Sequence, residues 1–97
     1  MNPAASPLWT DGHYFRDAAG GVVFLRAVNV AGNSKVPPFT GISDVSELEI
    51  LPSLGFNALR LLFTWEALEP VQGEINEEYL AYYEQVLVWA EQLGLYV

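Results

Sequence analysis

The sequence has 97 residues, 52% of them hydrophobic, so it forms one domain or part of one and is too apolar to be disordered. With 12 acidic against 4 basic side chains, its net charge of -8 argues against nucleic-acid binding by phosphate neutralisation. The absence of cysteine excludes disulfides, and His13, the single histidine, is interpreted as a surface residue rather than a metal ligand. No apolar run approaches the ~20 residues that span a bilayer. Residues 1–7 lack the features of a signal peptide, so an export signal is expected to be absent or removed, and the compartment stays open.

The amino-terminal part of the sequence predicts a β-hairpin. Residues 14–16 and 22–25 are apolar enough for strands, and Gly20 lies in a turn-forming stretch between them. The second arm continues through residues 26–30, so it is expected to leave the ribbon and enter a larger sheet. Residues 31–42, rich in glycine and proline, predict a loop.

A first helix is predicted to open at Ser43 and Asp44. Asp44 followed by Glu47 matches a capping box in its aspartate form. An apolar stripe runs through residues 45–54, and Pro52 is expected to end or kink the helix near the residue before it.

Residues 56–63 predict a strand buried on both faces, because they form a short, almost wholly apolar run after a glycine. Alternation gives this strand two faces: Leu59, Leu61 and Phe63 on one, and Ala58, Arg60, Leu62 and Thr64 on the other. Arg60 stays charged at any accessible pH, so a buried Arg60 requires acceptors from elsewhere in the fold.

A second helix is the strongest secondary-structure signal in the chain. Asn76 is a good N-cap, and Gly94 lies at the expected stop. Apolar residues recur at helical spacing between them: Tyr79, Tyr83, Val86, Ala90 and Leu93. The tyrosines are interpreted as part of this helix face rather than as a binding platform. Residues 95–97 then predict the beginning of another strand, cut in its middle.

The order of predicted elements indicates the fold class. Strands that alternate with helices form a parallel sheet in an α/β protein. Two strand–helix units cannot bury both faces of such a sheet. The chain is therefore expected to be the opening segment of a larger barrel or doubly wound sheet.

Several short motifs, taken together in their order, resemble the amino-terminal part of a glycoside hydrolase family 5 enzyme of the endoglycoceramidase and glucosylceramidase branch. They are Arg26-Ala27-Val28-Asn29-Val30, Asn33-Ser34-Lys35-Val36-Pro37-Pro38, Gly55-Phe56-Asn57-Ala58-Leu59-Arg60-Leu61, Trp65-Glu66, Glu69-Pro70, Tyr79-Leu80 and Leu93-Gly94-Leu95-Tyr96-Val97. The resemblance implies a (β/α)8 TIM barrel. Residues 1–24 would form the amino-terminal hairpin region. Residues 25–97 would form the first two βα units and the start of the third strand, where the barrel is truncated.

The resemblance also implies retaining hydrolysis by two glutamates. Both would lie on barrel strands outside this chain, so the 97-residue chain alone is expected to be inactive. Arg60 matches the family's arginine beside the nucleophile, where a fixed positive charge keeps the carboxylate ionised. The alternative for Arg60 is a structural ion pair.

Three further residues are candidates for substrate binding: Asn33, Lys35 and Trp65. Lys35 would donate a hydrogen bond to a polar ligand, or else be a solvated loop residue. Trp65 would form a sugar-stacking wall, or else belong to the core. Glu66 and Glu69 are interpreted as loop or cap acids, because nothing in the sequence orients them about a sugar.

Two classes of function therefore stay open. The first is part of a glycosidase acting on glycolipids or β-glucosides, with β-glucan or mannan as alternative substrates. The second is a small non-catalytic α/β binding module. For the first, the resemblance implies a carbohydrate or glycolipid partner, no nucleic acid, no metal and no cofactor. Open apolar strand edges also predict self-association of the isolated chain.

Overall fold

The computed structural model describes residues 6–31 and 36–97, and secondary structure alternates from strand to helix over its second half. The elements are β1 (Trp9–Asp11), β2 (Tyr14–Arg16), β3 (Val22–Val23), β4 (Ala27–Val30), α1 (Ser46–Ser53), β5 (Ala58–Leu61), α2 (Trp65–Leu68) and α3 (Glu77–Gln92).

An antiparallel ribbon of β1, β2 and β3 opens the described chain. The predicted hairpin is confirmed as the β2–β3 pair, whereas β1 was not predicted. Asp17 closes the hairpin turn, since its Oδ1 accepts hydrogen bonds from the backbone N–H groups of Ala19 (3.0 Å) and Gly21 (2.9 Å). After β3 the chain leaves the ribbon, and β4 belongs to a second sheet, as predicted.

Helix α1 begins later than predicted, at Ser46, and only half of the predicted capping box forms. The Glu47 carboxylate reaches back to accept from the N–H of Ser43 (2.6 Å) and Asp44 (3.3 Å). The Asp44 carboxylate instead accepts from the Ser46 hydroxyl (3.0 Å). The helix also runs through Pro52 to Ser53, so the predicted stop before Pro52 is too early.

The second sheet is parallel, as the alternation of strands and helices in the sequence predicted. Strand β4 pairs with β5 in the register Ala27 to Ala58 and Val30 to Leu61. On the other side of β5, the N–H of Leu59 donates to the Tyr96 carbonyl (2.8 Å), and Ala58 and Tyr96 form a parallel bridge. Tyr96 thus pairs with β5 through one parallel bridge, at the position where another strand was predicted to begin.

One face of this sheet packs against helices α1 and α3. Leu48 of α1 and Val86 of α3 are 2% and 0% exposed, because both are covered by the strands and by each other's helix. The buried cluster consists of Ile42, Leu48, Leu59, Val86, Ala90 and Leu95. Leu59 and Leu61 thus occupy the helix-facing side, as alternation predicted, and the α3 stripe is confirmed.

Helix α3 has the predicted boundaries. The Asn76 side chain accepts from the N–H groups of Glu78 (3.1 Å) and Tyr79 (3.2 Å), which confirms it as the N-cap. Gly94 follows the helix at a φ of 70°, a left-handed conformation that glycine adopts without a Cβ penalty.

Candidate functional site

The second face of the parallel sheet carries the polar side chains. Alternation places Ala27 and Asn29 of β4 with Ala58 and Arg60 of β5 on the side away from the helices. The register sets Asn29 directly beside Arg60, near the carboxyl ends of both strands. A groove of about 650 Å³ lies along β5 and is lined by Ser6, Pro7, Leu8, Leu25, Ala27, Ala58, Leu59, Arg60, Leu61, Tyr96 and Val97. The apolar end of this face therefore adjoins the amino-terminal segment, and the polar end lies where α/β folds hold their sites.

Arg60 is exposed, so the prediction that this strand is buried on both faces is wrong at that position. No acid of the described residues forms an ion pair or hydrogen bond with its guanidinium. The physical reason is that helices cover only one side of β5, whereas its other side faces the open groove. The structural ion pair predicted as the alternative is therefore absent from residues 6–31 and 36–97.

Asn57 holds the starts of three strands together. Its Oδ1 accepts from the Arg26 N–H (2.7 Å), and its Nδ2 donates to the Phe24 carbonyl (2.9 Å). Its backbone N–H donates to the Arg26 carbonyl (3.1 Å), and its carbonyl accepts from the Tyr96 N–H (2.9 Å). This residue therefore sets the register that brings Asn29 and Arg60 side by side.

The short helix α2, which was not predicted, follows the carboxyl end of β5 and places Trp65. The Thr64 hydroxyl caps it by accepting from the Ala67 N–H (3.2 Å). Trp65 is 75% exposed, so it does not belong to the core of this chain. Its indole Nε1 donates to a carboxylate oxygen of Glu69 (3.0 Å), which fixes the direction of the ring.

The two acids of this segment have separate environments. Glu66 lies in the first turn of α2 and is exposed, and Glu69 is the C-cap residue whose carboxylate binds Trp65. Their interpretation as loop or cap acids agrees with these positions. Trp65 and Glu69 are four residues apart, the spacing at which side chains meet on a helix. The sequence would have predicted their contact only if α2 had been recognised as a helix.

Two neighbouring tyrosines of α3 contact the chain segments that follow β4 and β5. The Tyr82 hydroxyl accepts from the N–H groups of Gly41 and Ile42, both at 3.1 Å. The Tyr83 hydroxyl donates to the Leu62 carbonyl, just beyond the end of β5. Sequence analysis identified these residues only as a helix face, because an amphipathic stripe does not show which hydroxyl meets which carbonyl.

Burial raises the pKa of the Tyr83 hydroxyl well above its usual range, and the neighbouring Tyr79 adds to this shift. Tyr79 itself is 2% exposed, and its Oη has no hydrogen-bond partner of acceptable geometry among the described residues. The Tyr83 hydroxyl therefore stays protonated, and donates, throughout the pH range in which proteins function.

Asn33 and Lys35, two of the predicted substrate-binding residues, lie outside the described residues. Of the other two predicted site residues, Arg60 is the penultimate residue of β5 and Trp65 begins α2, so both lie at the same end of the sheet. Within residues 6–31 and 36–97, no group of three or more histidine or acidic side chains is arranged to hold a metal ion. No helix in the described part of the chain is long and apolar enough to cross a membrane.

Comparison with known proteins relates this fold to glycosidases, although no family model matches the chain. A glucosylceramidase of Aspergillus fumigatus is 30% identical over an alignment of 115 positions that covers 93% of this chain. A crystal structure of an endogalactoceramidase superposes with a TM-score of 0.75 at 28% identity and covers 94% of the chain. An exo-β-1,4-mannosidase from Opitutaceae bacterium strain TAV5 gives a TM-score of 0.72 at 30% identity over 89% of the chain.

These likenesses extend over most of the chain but over a small part of each relative. The chain spans 15% of the glucosylceramidase, 21% of the endogalactoceramidase chain and 16% of the mannosidase chain. The solved structures that it matches are TIM-barrel glycosidases, so the fold of this chain is similar to one part of such enzymes. The matched relatives include glucosylceramidases and endoglycoceramidases, which confirms the resemblance of this chain to the endoglycoceramidase-like branch of glycoside hydrolase family 5.

Proposed function

We propose that the protein containing this segment is a retaining glycoside hydrolase that cleaves the O-glycosidic bond of a glycolipid. The observation that carries this proposal is Arg60, an exposed cation near the carboxyl end of a parallel strand with no acidic partner in residues 6–31 and 36–97, in a segment related to ceramide-glycoside hydrolases. The relatives reported above are all glycosidases, so we set the non-catalytic binding module aside.

Arg60 would act through charge. The two catalytic glutamates of the proposed barrel lie outside this chain, and the open face of β4 and β5 is where they would approach. In a retaining enzyme the nucleophile must be ionised while the acid/base starts protonated. A guanidinium beside the nucleophile favours its ionised form and so helps to separate the two pKa values.

Substrate binding is assigned to three residues: Asn33, Lys35 and Trp65. Trp65 is supported by its exposed, hydrogen-bonded ring, since an aromatic face held in one direction suits stacking on a sugar. Asn33 and Lys35 belong to the segment between β4 and α1, which starts at the same end of the sheet as α2. All three would therefore lie at the mouth of the barrel.

The proposed organisation assigns residues 1–24 to an amino-terminal hairpin region. Residues 25–97 form two βα units and the start of a third barrel strand. In this arrangement no strand of the described residues pairs with β4 on the side away from β5, and no helix of those residues covers the groove face. Unpaired strand edges recruit further strands. We infer that the isolated segment self-associates through them.

A second candidate substrate class is supported by one comparison. The exo-β-1,4-mannosidase covers slightly less of this chain than the endogalactoceramidase does, 89% against 94%, but is slightly more identical to it, 30% against 28%. A mannoside or glucan substrate would use the same Arg60 chemistry with different contacts in the loops. β-Mannosides are therefore assayed together with glycolipids and β-glucosides.

The test is glycosidase activity of the full-length protein and of the 97-residue segment. The full-length protein is expected to hydrolyse glucosylceramide and an aryl β-glucoside with retention of anomeric configuration. The segment is expected to match buffer, because β4 and β5 carry no carboxylate and the catalytic pair is assembled from other strands. Product configuration can be followed by NMR during the first turnovers.

Two results would contradict the proposal. Full-length protein that is folded yet inactive on glycolipids, β-glucosides and β-mannosides would overturn the assignment as a glycosidase. Turnover by the segment that survives stringent purification would show that the catalytic carboxylates lie within it. Activity on mannosides alone would select the second substrate class.

A further inference from the structure

The end of strand β5 is held from the helix side by a single hydroxyl. Tyr83 Oη donates to the Leu62 carbonyl, and the Leu61 carbonyl lies 3.4 Å from the same oxygen. The Phe63 ring packs edge-on against the Tyr83 ring, with centroids 5.5 Å apart. Tyr83 therefore holds both the backbone and a side chain of the segment that leaves β5.

The same residue, Leu62, completes the strand ladder. The N–H of Leu62 donates to the Val30 carbonyl (3.2 Å), the last bond between β4 and β5. Leu62 is thus bonded to the neighbouring strand through its N–H and to helix α3 through its carbonyl. Arg60 of β5 lies two residues before Leu62, so a shift of the Leu62 backbone would move the base of the Arg60 side chain.

We propose that Tyr83 is a positioning residue for Arg60: by holding the Leu62 carbonyl, it fixes the strand end from which the guanidinium projects. This inference rests on the proposed function. A charge that stabilises an ionised nucleophile acts only at the correct distance, and small displacements of such groups reduce rates strongly. The hydroxyl suits this role, because it stays protonated and its bond does not titrate with the catalytic groups.

The chain offers a matched control on the same helix face. Tyr79 and Tyr83 are neighbours in one aromatic cluster, with ring centroids 5.2 Å apart. Tyr79 Oη has no hydrogen bond of acceptable geometry with any described residue, whereas Tyr83 Oη donates to the Leu62 carbonyl and lies 3.4 Å from the Leu61 carbonyl. Replacing either tyrosine with phenylalanine removes one oxygen and keeps the ring. Only Tyr83→Phe removes the contact with Leu62.

The experiment compares Tyr83→Phe and Tyr79→Phe in the full-length protein. Tyr83→Phe removes the hydrogen bond to the Leu62 carbonyl and so loosens the end of the strand. The Leu62 amide, which donates to the Val30 carbonyl, should then exchange about fivefold faster in Tyr83→Phe and at an unchanged rate in Tyr79→Phe. We expect kcat to fall about fivefold in Tyr83→Phe with little change in KM, since the displaced charge acts in the transition state. In an Arg60→Met background, Tyr83→Phe should have no further effect on kcat.

The outcomes separate this inference from the proposed function. A folded wild-type protein without glycosidase activity would overturn the proposed function and, with it, a role for Tyr83 in catalysis. An active wild type in which Tyr83→Phe matches Tyr79→Phe would overturn the role of Tyr83 alone. Faster Leu62 exchange with unchanged kcat, or effects that add fully to those of Arg60→Met, would reduce the hydroxyl to a packing contact.

Discussion

The two faces of the β4–β5 sheet differ in how far this chain completes them. On the helix-facing side, Leu48, Leu59 and Val86 are each no more than 3% exposed, so the apolar core closes within these residues. On the opposite side, Arg60 is exposed beside an open groove. One face therefore accounts for the stability of the segment, and the other carries the residue with a proposed role in chemistry.

This difference follows from the order of elements. Each strand is followed by a helix that packs on the outer face of the sheet. The connection between them is short, so the apolar stripe that covers a strand lies on the next element along the chain. The inner face of a barrel is filled by side chains of strands that are distant in sequence. The following predictions test this division of roles, from the largest expected effect to the smallest.

The largest effect is expected from the closed face. Leu48→Ala removes most of a side chain that is 2% exposed and leaves a cavity between α1 and the sheet. In the full-length protein it should lower the free energy of unfolding of this region by about 2–5 kcal/mol. Denaturant unfolding followed by hydrogen exchange of α1 and β5 amides would measure it.

Leu54→Ala is the matched control for that substitution. Leu54 is the C-cap residue of α1 but is 64% exposed, although the sequence placed it in the apolar stripe. The same chemical change should therefore alter stability by only about 0.5 kcal/mol. Equal losses from the two substitutions would contradict the proposed location of the core.

Substitution on the open face should affect rate more than stability. Arg60→Met in the full-length protein keeps much of the volume and removes the charge. The rate at optimal pH should fall by about two orders of magnitude, the scale of losing one preorganised electrostatic contact. Because the charge lowers the pKa of the nucleophile, its removal raises that pKa, and the acidic limb of the pH–rate profile should move to higher pH.

Two further variants sharpen the result for Arg60. Arg60→Lys should restore activity only in part, because an ammonium lacks the planar, bidentate donor pattern of guanidinium. Arg16→Met removes an arginine of the amino-terminal ribbon, whose ion pair with Asp11 (2.6 Å) is partly exposed, and should leave the rate unchanged. A folded Arg60→Met enzyme with an unchanged rate and acidic limb would show that the arginine has no role in catalysis.

The sequence predicted the closed face well, because its signals are local. Asn76 and Gly94 bound a helix through capping chemistry, and the spacing of Val86 and Ala90 identified its buried stripe. The errors fell where several local signals compete. Asp44 matched a capping box, yet its carboxylate binds Ser46 while Glu47 alone completes the backbone contacts, so α1 starts later.

The open face and its supports were harder to predict, because they depend on contacts across the fold. Alternation correctly separated Arg60 from the core residues, but its exposure depends on which strands cover it. The hydrogen bonds of Tyr83 to Leu62 and of Tyr82 to Gly41 join residues distant in sequence. No periodicity reports such pairs. Helix α2 was missed because a run of four residues after Thr64 is too short for helical spacing to stand out.

The smallest effect is expected from Lys35, the only lysine of the chain and a residue predicted to bind substrate. Lys35 follows β4 in the sequence, and the proposed function assigns it to substrate binding. Lys35→Ala in the full-length protein should lower kcat/KM for the preferred glycoside. The loss corresponds to about 1–3 kcal/mol of transition-state stabilisation if the ammonium donates to a buried sugar hydroxyl. Lys35→Met, which keeps the length of the side chain, should lose as much, because the donor and not the stem makes the contact. Steady-state kinetics on the natural glycolipid and on a small aryl glycoside would measure both. Wild-type kinetics in both variants would assign Lys35 to solvent and leave Arg60 and Trp65 as the site residues that this segment supplies.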